Sequence, residues 1–243
     1  MVDKLVLMKV LQSYHLGGNV EKAKWKVEDQ NLKIRFINDS QNLVGEVECS
    51  NIPLPNGSFG IYDTATLIKM VSILEFDVAM DVVKENGMAS KFMLADTNVD
   101  LKYNLADPQV IPTTPVIKGA DDVLFNLNIT NDFISKFVKS RDAINQEQFQ
   151  LEVEEGFAGM ELVITVGTKS TNTIKFSEPL HGEAEPTPTA IPFDGLLFKD
   201  ILKTNKDFQE GCISLNPKGM LIAEFNHGEV ASKYYLVRNQ KSE

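Results

Sequence analysis

Three histidines, two cysteines and thirty-four acidic side chains are the groups with which this 243-residue chain would build a reaction or a metal centre. A structural zinc site needs ligands held a few residues apart, and His15, His181 and His227 each lack a second ligand at that spacing. Each reads as a surface or turn histidine. Cys49 and Cys212 lie far apart and read as two buried thiols rather than a disulfide framework. Asp96, Asn98 and Asp100, with Asp107 at the twelfth position, imitate a calcium loop, but Leu101 stands where that loop needs glycine for its sharp turn. No GxSxG or HExxH supplies a nucleophile or a metal-held water. No GxxxxGK[ST] or GxGxxG supplies a phosphate cradle, and Gly167-Thr168-Lys169-Ser170 lacks the spacing of one. The acid pairs Glu154-Glu155 and Asp121-Asp122 have no partner that the sequence sets opposite them. The expectation is a protein that is not an enzyme, with no catalytic residue, no metal ligand and no cofactor.

Composition narrows the class further. The formal net charge is −10 and 43% of residues are hydrophobic, enough for a sizeable core at a length between one large domain and two smaller ones. The first sixteen residues contain no cleavable apolar stretch, and no run of about 18 apolar residues occurs, so a cytoplasmic protein without membrane segments is expected.

The elements that would position any site fall into two patterns. Apolar and polar residues alternate over 32–36, 77–83, 91–94, 100–105, 122–128, 149–153, 161–166 and 233–237, as in half-buried antiparallel strands. Helical spacing appears over 3–14, 63–74, 131–144 and 194–206, each beginning at Asp or Asn, the residue types that satisfy the free amides of a first turn. The class is α+β.

The pattern also repeats, at an offset of about 131 residues. Tyr62-Asp63 returns as Phe193-Asp194, and Leu67, Met70 and Val71 return as Phe198, Ile201 and Leu202. Lys102-Tyr103-Asn104-Leu105 returns as Lys233-Tyr234-Tyr235-Leu236, and Gly87-Met88 as Gly219-Met220, shifted by one. A repeat of this kind fixes an architecture more firmly than a single motif. Two similar domains are expected, 1–107 and 121–243, joined by a Pro-rich connector over 108–120, each with two helices packed on antiparallel sheet.

Charge is segregated along the chain. The four helical stretches hold Lys4, Lys9, Lys69, Lys136, Lys139, Arg141, Lys199, Lys203 and Lys206 against six aspartates, a net +3, while the remaining 192 residues sum to −13. Lys199, Lys203 and Lys206 form one stripe, and Lys136 and Lys139 lie opposite Phe133, Ile134, Phe137 and Val138. A lysine-bearing face is ordinarily just solvated; four in so acidic a chain weigh equally for a polyanion. With 21 lysines to 3 arginines, contacts to phosphate rather than to base edges are expected, so any duplex would be bound without reading its sequence.

Gly60-Ile61-Tyr62-Asp63 ahead of a helix, Leu94-Ala95-Asp96, Ala106-Asp107-Pro108 leading into the connector, and the closing Lys233-Tyr234-Tyr235-Leu236 resemble DNA polymerase sliding clamps, most closely the clamp of T4-type bacteriophages. The resemblance spans the chain in element order. It implies the DNA clamp fold, a homotrimer closed head to tail into a ring, and a non-catalytic processivity factor in DNA replication that encircles double-stranded DNA in the cytoplasm of an infected bacterial host cell. The nine cations named above would then be DNA-facing. A replicative DNA polymerase, an ATP-dependent clamp loader and late-transcription factors of the phage are the implied partners. Their peptides would dock on Val110, Ile111, Pro112 and Val116 of the connector and on Tyr235, Leu236 and Val237 of the last strand. Apolar residues in the connector are equally explained by its packing on the domains. A β-rich two-domain binding or structural phage protein that encircles nothing is the competing reading, and a hydrolase with an unrecognised site the third.

Overall fold

The computed structural model describes residues 1–117, 122–157, 159–168 and 170–239. The end of the expected connector (118–120), Asp121 and Lys169 lie outside them. The chain divides into two compact units: Met1–Pro115 with Asn226–Lys233, and Val116–Phe225 with Tyr234–Glu243.

In unit 1 the order is β1 (Val2–Asp3), α1 (Lys4–His15), β2 (Ala23–Glu28), β3 (Asn31–Ile37), β4 (Leu43–Cys49), β5 (Gly57–Ile61), α2 (Thr64–Ile73), β6 (Asp77–Glu85), β7 (Met88–Ala95) and β8 (Asp100–Asn104). The second half of the chain, most of it unit 2, runs β9 (Phe125–Asn128), α3 (Asn131–Ile144), β10 (Gln148–Gly156), β11 (Gly159–Val166), β12 (Ile174–Pro179), β13 (Ile191–Asp194), α4 (Gly195–Thr204), β14 (Glu210–Leu215), β15 (Met220–Asn226) and β16 (Val230–Val237), whose first four residues are counted with unit 1. Strand, helix, four strands, helix and three strands thus occur twice. Strand order repeats as well: β5-β2-β3-β4 and β1-β6-β7-β8 in the first unit correspond to β13-β10-β11-β12 and β9-β14-β15-β16 in the second. The equivalent hairpin turns even share a backbone setting, with Gly87 at φ 80° and Gly219 at φ 79°, a region that glycine occupies without a steric penalty.

Four side chains fix where the helices begin. Asp3 Oδ1 accepts from Leu5 N at 2.7 Å, Asp63 Oδ1 from Thr66 N at 2.8 Å, Thr130 Oγ1 from Phe133 N at 3.1 Å, and Asp194 Oδ1 from Leu196 N and Leu197 N at 3.0 and 2.9 Å. Each satisfies an amide that has no partner inside the helix. The aspartates expected as first helical residues are therefore caps, and at α3 the cap is Thr130 rather than Asn131. At the far end, α4 stops at Thr204, so Lys206 lies in the following turn rather than on the helix.

Each helix pair packs over its own first sheet, α1 against β4 and α3 and α4 against β10, β11 and β13. In unit 1 the apolar positions Leu7, Val10, Leu11 and Tyr14 of α1 are buried at helical spacing. Below them lies an aromatic cluster, with Tyr14 6.4 Å from Trp25, Trp25 5.7 Å from Phe92 and Phe92 5.3 Å from Phe59. Unit 2 has its own cluster, in which Phe137, Phe149 and Phe198 lie 4.9 to 5.0 Å apart. Burying one such ring contributes about 1.5–3 kcal/mol. Among the described residues no helix is long and apolar enough to cross a membrane.

Candidate nucleic-acid interface

With the helix limits in place, the helices carry eight of the expected cations, Lys4 to Lys203, against Asp132, Asp142 and Asp200. On the opposite, solvent-facing side of the unit 1 sheet most cations are paired. Lys33 pairs with Glu46 at 2.7 Å and Glu48 at 2.8 Å, Lys26 with Glu28 at 2.8 Å, and Arg35 lies 3.5 Å from Glu46. In unit 2, Lys175 of β12 lies 3.3 Å from Glu154 of β10. Several cations on the sheets are thus matched locally by acids, whereas the helices hold an excess of cations over acids.

The eight helical cations are not alike. Lys69 and Lys139 are exposed, with no acid within ion-pair distance among the described residues. Lys9 is half-buried. Lys136 is exposed but pairs with Asp132 at 2.8 Å and Glu178 at 3.1 Å, and those two carboxylates hold its ammonium above the ordinary lysine range. Lys203 keeps half its side chain in solvent, 4.0 Å from Asp142. Lys199 is only 14% exposed and donates to Asp142 Oδ1. The Lys199 ammonium first, then Lys203 and Arg141, hold the Asp142 carboxyl below the usual carboxylate range.

Two of the expected cations are held within the fold. Arg141 is 9% exposed, with Nη1 3.4 Å from both Asp142 Oδ1 and Asn145 Oδ1, so its guanidinium is largely buried at the end of α3. Lys4 bends away to donate to Ser72 O at 2.9 Å and to Leu74 O. It caps the carboxyl end of α2, where the helix dipole favours a positive charge. Because Tyr14 at the other end of α1 meets Thr64 at the start of α2, hydroxyl to hydroxyl at 3.1 Å, the two helices run antiparallel.

The residues expected to receive a partner peptide are also of two kinds. Val110, Pro112, Val116 and Val237 are exposed and Tyr235 is half-buried, whereas Ile111 and Leu236 are buried and belong to the core. Alternation along β16 sends Leu236 inward and Val237 outward. In unit 2 a groove of about 520 Å³ opens beside Val237, lined by Ala190, Ile191, Pro192, Arg238 and Asn239. Asn239 N donates to Pro192 O at 2.8 Å, which ties the chain after β16 to β13. The stem of Arg238 passes over the β14–β15 side of the groove, near enough that a Cβ on Gly219 would lie 3.1 Å from its Cδ. Reading β16 alone missed Ile191, Pro192 and Arg238. The arginine directly after the apolar run was the available signal.

Several of the other candidates for chemistry are committed to the fold. Asp96 accepts from the backbone amides of Asn98 and Val99 at 2.8 Å and of Glu75 at 2.7 Å, so the calcium-like run is the β7–β8 turn. His15 Nε2 lies 2.9 Å from Glu21 Oε1, while Glu21 Oε2 accepts from Ala65 N in the first turn of α2. Burial pushes the Cys49 thiol up to about 12, which leaves it an unreactive thiol at neutral pH. Cys212 is half-buried.

Two units of one topology, each with a basic antiparallel helix pair over sheet, define the DNA clamp fold. Solved structures share it: the Proliferating Cellular Nuclear Antigen from Entamoeba histolytica matches over 98% of this chain and 96% of its own, at 16% identity and a TM-score of 0.75. A. fulgidus PCNA, solved with the C-terminal region of FEN-1 bound, matches over 100% of this chain and 98% of its own, at 16% identity and a TM-score of 0.79. No protein-family model matches the chain, and no curated protein matches it in sequence.

Proposed function

We propose that this chain is a sliding clamp: a non-catalytic processivity factor that closes around duplex DNA and tethers a replicative DNA polymerase, as in T4-type bacteriophages, within the cytoplasm of the infected cell. The observation that carries the reading is the excess of eight cations over three acids on the helices of a clamp fold whose whole chain is at −10. Acidic surfaces elsewhere repel DNA, so only threading gives lasting association. A homotrimer joined head to tail is the assembly proposed, with residues 108–120 as connector between domains 1–107 and 121–243. One surface supports a heterologous contact. Leu5 at 75%, Ile73 at 60% and Phe76 at 82% exposure surround Lys4 at one end of unit 1, while 131 residues on from Ile73 and Phe76 stand Thr204 and Asp207. An apolar end on one unit and a polar one on the other suits a head-to-tail ring. The groove beside Val237 is the proposed seat for peptides of the polymerase, the clamp loader and late-transcription factors; exposed Val110, Pro112 and Val116 of the connector are proposed as peptide contacts in their own right.

Light scattering across a concentration series tests assembly, with a mass rising toward about 81 kDa, three times the 27.1 kDa chain. Retention on closed circular duplex tests encirclement, and linearising the circle should release the protein. A strict monomer or dimer at every concentration, with equal retention on circular and linear DNA, would refute the ring and favour a binding protein that encircles nothing.

A further inference from the structure

The two units join their helix pairs in different ways. In unit 1 the ties are Tyr14 to Thr64 and Lys4 to backbone carbonyls. In unit 2 one carboxylate, Asp142 in the last turn of α3, meets three cations: Lys199 donates to Oδ1, Arg141 Nη1 lies 3.4 Å from the same oxygen, and Lys203 lies 4.0 Å from Oδ2. Unit 1 has no such arrangement at the matching positions. At the 131-residue offset, Ile68 and Ser72 replace Lys199 and Lys203, and with the caps Asp3 and Thr130 aligned, His15 stands in place of Asp142. The clamp topology forms in unit 1 without such a network, so the topology itself does not require it.

Resting on the reading of this chain as a clamp, we infer that Asp142 is a positioning residue that restrains Lys199 and Lys203 and cancels part of the field that α3 and α4 present to duplex DNA. A phosphate that takes Lys199 must displace a charge-assisted bond at a side chain only 14% exposed. A phosphate that takes Lys203 meets the same carboxylate at one remove. Lys139, on the same helix as Asp142, needs no such displacement and stays the readily available contact. The consequence is a surface that attracts the duplex but exchanges phosphates easily, as a ring that moves along DNA requires. Strong fixed contacts would hold it in place.

The test uses the full chain and closed circular duplex DNA, with affinity measured over a salt series. Each phosphate contact adds about 0.9 to the slope of log affinity against log salt. Asp142→Asn removes the charge at nearly constant shape and should steepen the slope by about 0.9 to 1.8 for each subunit engaged, as one or both lysines are released. Asp142→Glu should restore the parent slope, and adding Lys203→Gln to Asp142→Asn should take about 0.9 per engaged subunit off the gain. Thermal melting and mass are followed in parallel. A lowered melting temperature with an unchanged slope would mean that the carboxylate only fastens helices, and would overturn the inference. An unchanged slope for Asp142→Asn, when Lys199→Gln and Lys203→Gln in the parent flatten it, would overturn the inference and leave the clamp reading standing. Indifference of the slope to every one of these changes would overturn both. If Asp142→Asn does not fold, the parent background still decides: Lys203→Gln should flatten the slope less than Lys139→Gln, and an equal or larger effect would refute the restraint.

Discussion

Replacing Gly45 by alanine should destabilise unit 1 through a single atom. Gly45 faces Phe36 across the β3–β4 ladder, and the Phe36 ring lies over it, so an added Cβ would sit 2.1 Å from Cζ, 2.6 Å from Cε2 and 2.8 Å from Cε1. Carbon atoms pack at about 3.5–4.0 Å, so the ring must withdraw by roughly 1.5 Å. Phe36 is 1% exposed and 6.2 Å from Tyr14, and protein interiors are packed to about the density of organic crystals, which leaves such a ring little room to withdraw. Overpacking of this kind costs about 1–3 kcal/mol. At about 2–4 °C per kcal/mol for a chain of this size, the melting temperature should fall by roughly 2–12 °C. Because Tyr14 links α1 to Thr64 of α2, part of the strain passes into the helix pair that carries Lys9 and Lys69. The assay is thermal unfolding of Gly45→Ala beside Gly45→Ala/Phe36→Leu, in which the smaller side chain should recover part of the loss. A melting temperature for Gly45→Ala within a degree of the parent would refute the reasoning.

Charge reversal of Lys139 and Lys203 should flatten the salt dependence of duplex binding and shorten polymerase runs, whereas reversal of Lys24 and Lys26 on the exposed side of β2 should change neither, as primer-extension length distributions would report. Val237→Asp, at an exposed position beside the groove, should weaken binding of a polymerase-derived peptide at least tenfold in a fluorescence titration while leaving the melting temperature within about 2 °C. Asp63, Asp96 and Asp142 are held below the usual carboxylate range, the first two chiefly by backbone amides and the third by Lys199. A carboxyl whose folded pKa is depressed contributes stability above its unfolded pKa of about 3.9 and loses it as pH falls through the lower folded value. Melting temperature should therefore hold down to about pH 4 and then drop, and Asp142→Asn should remove part of that acid-side loss.

Element order was legible because the repeat copies the parts that punctuate a fold: the caps Asp63 and Asp194, the turn glycines Gly87 and Gly219, and the Lys-Tyr pairs in β8 and β16. Several strands were not legible, for physical reasons. Gly45 breaks the alternation of β4 because a neighbouring ring occupies its side-chain space, and β12 and β13 carry Pro179 and Pro192, which edge strands tolerate. The alternation Lys24-Trp25-Lys26-Val27 of β2 was there to be read. For the candidate interface, helical spacing identified the right elements but not the fate of each cation. Lys4, Arg141 and Lys199 are claimed by carbonyls, an amide side chain and a carboxylate, and two of those three ties cross to another helix, beyond what one helix's periodicity encodes.

The separate aromatic clusters make the two halves spectroscopically unequal. Trp25 is the single tryptophan, fully buried in unit 1 against Tyr14 and Phe92, while the core of unit 2 holds phenylalanine rings and Tyr234 but no indole. Indole fluorescence therefore follows the melting of one unit, and backbone circular dichroism follows both. Any gap between the two curves measures how far one half of the molecule can loosen while the other stays folded, without a label or a truncation.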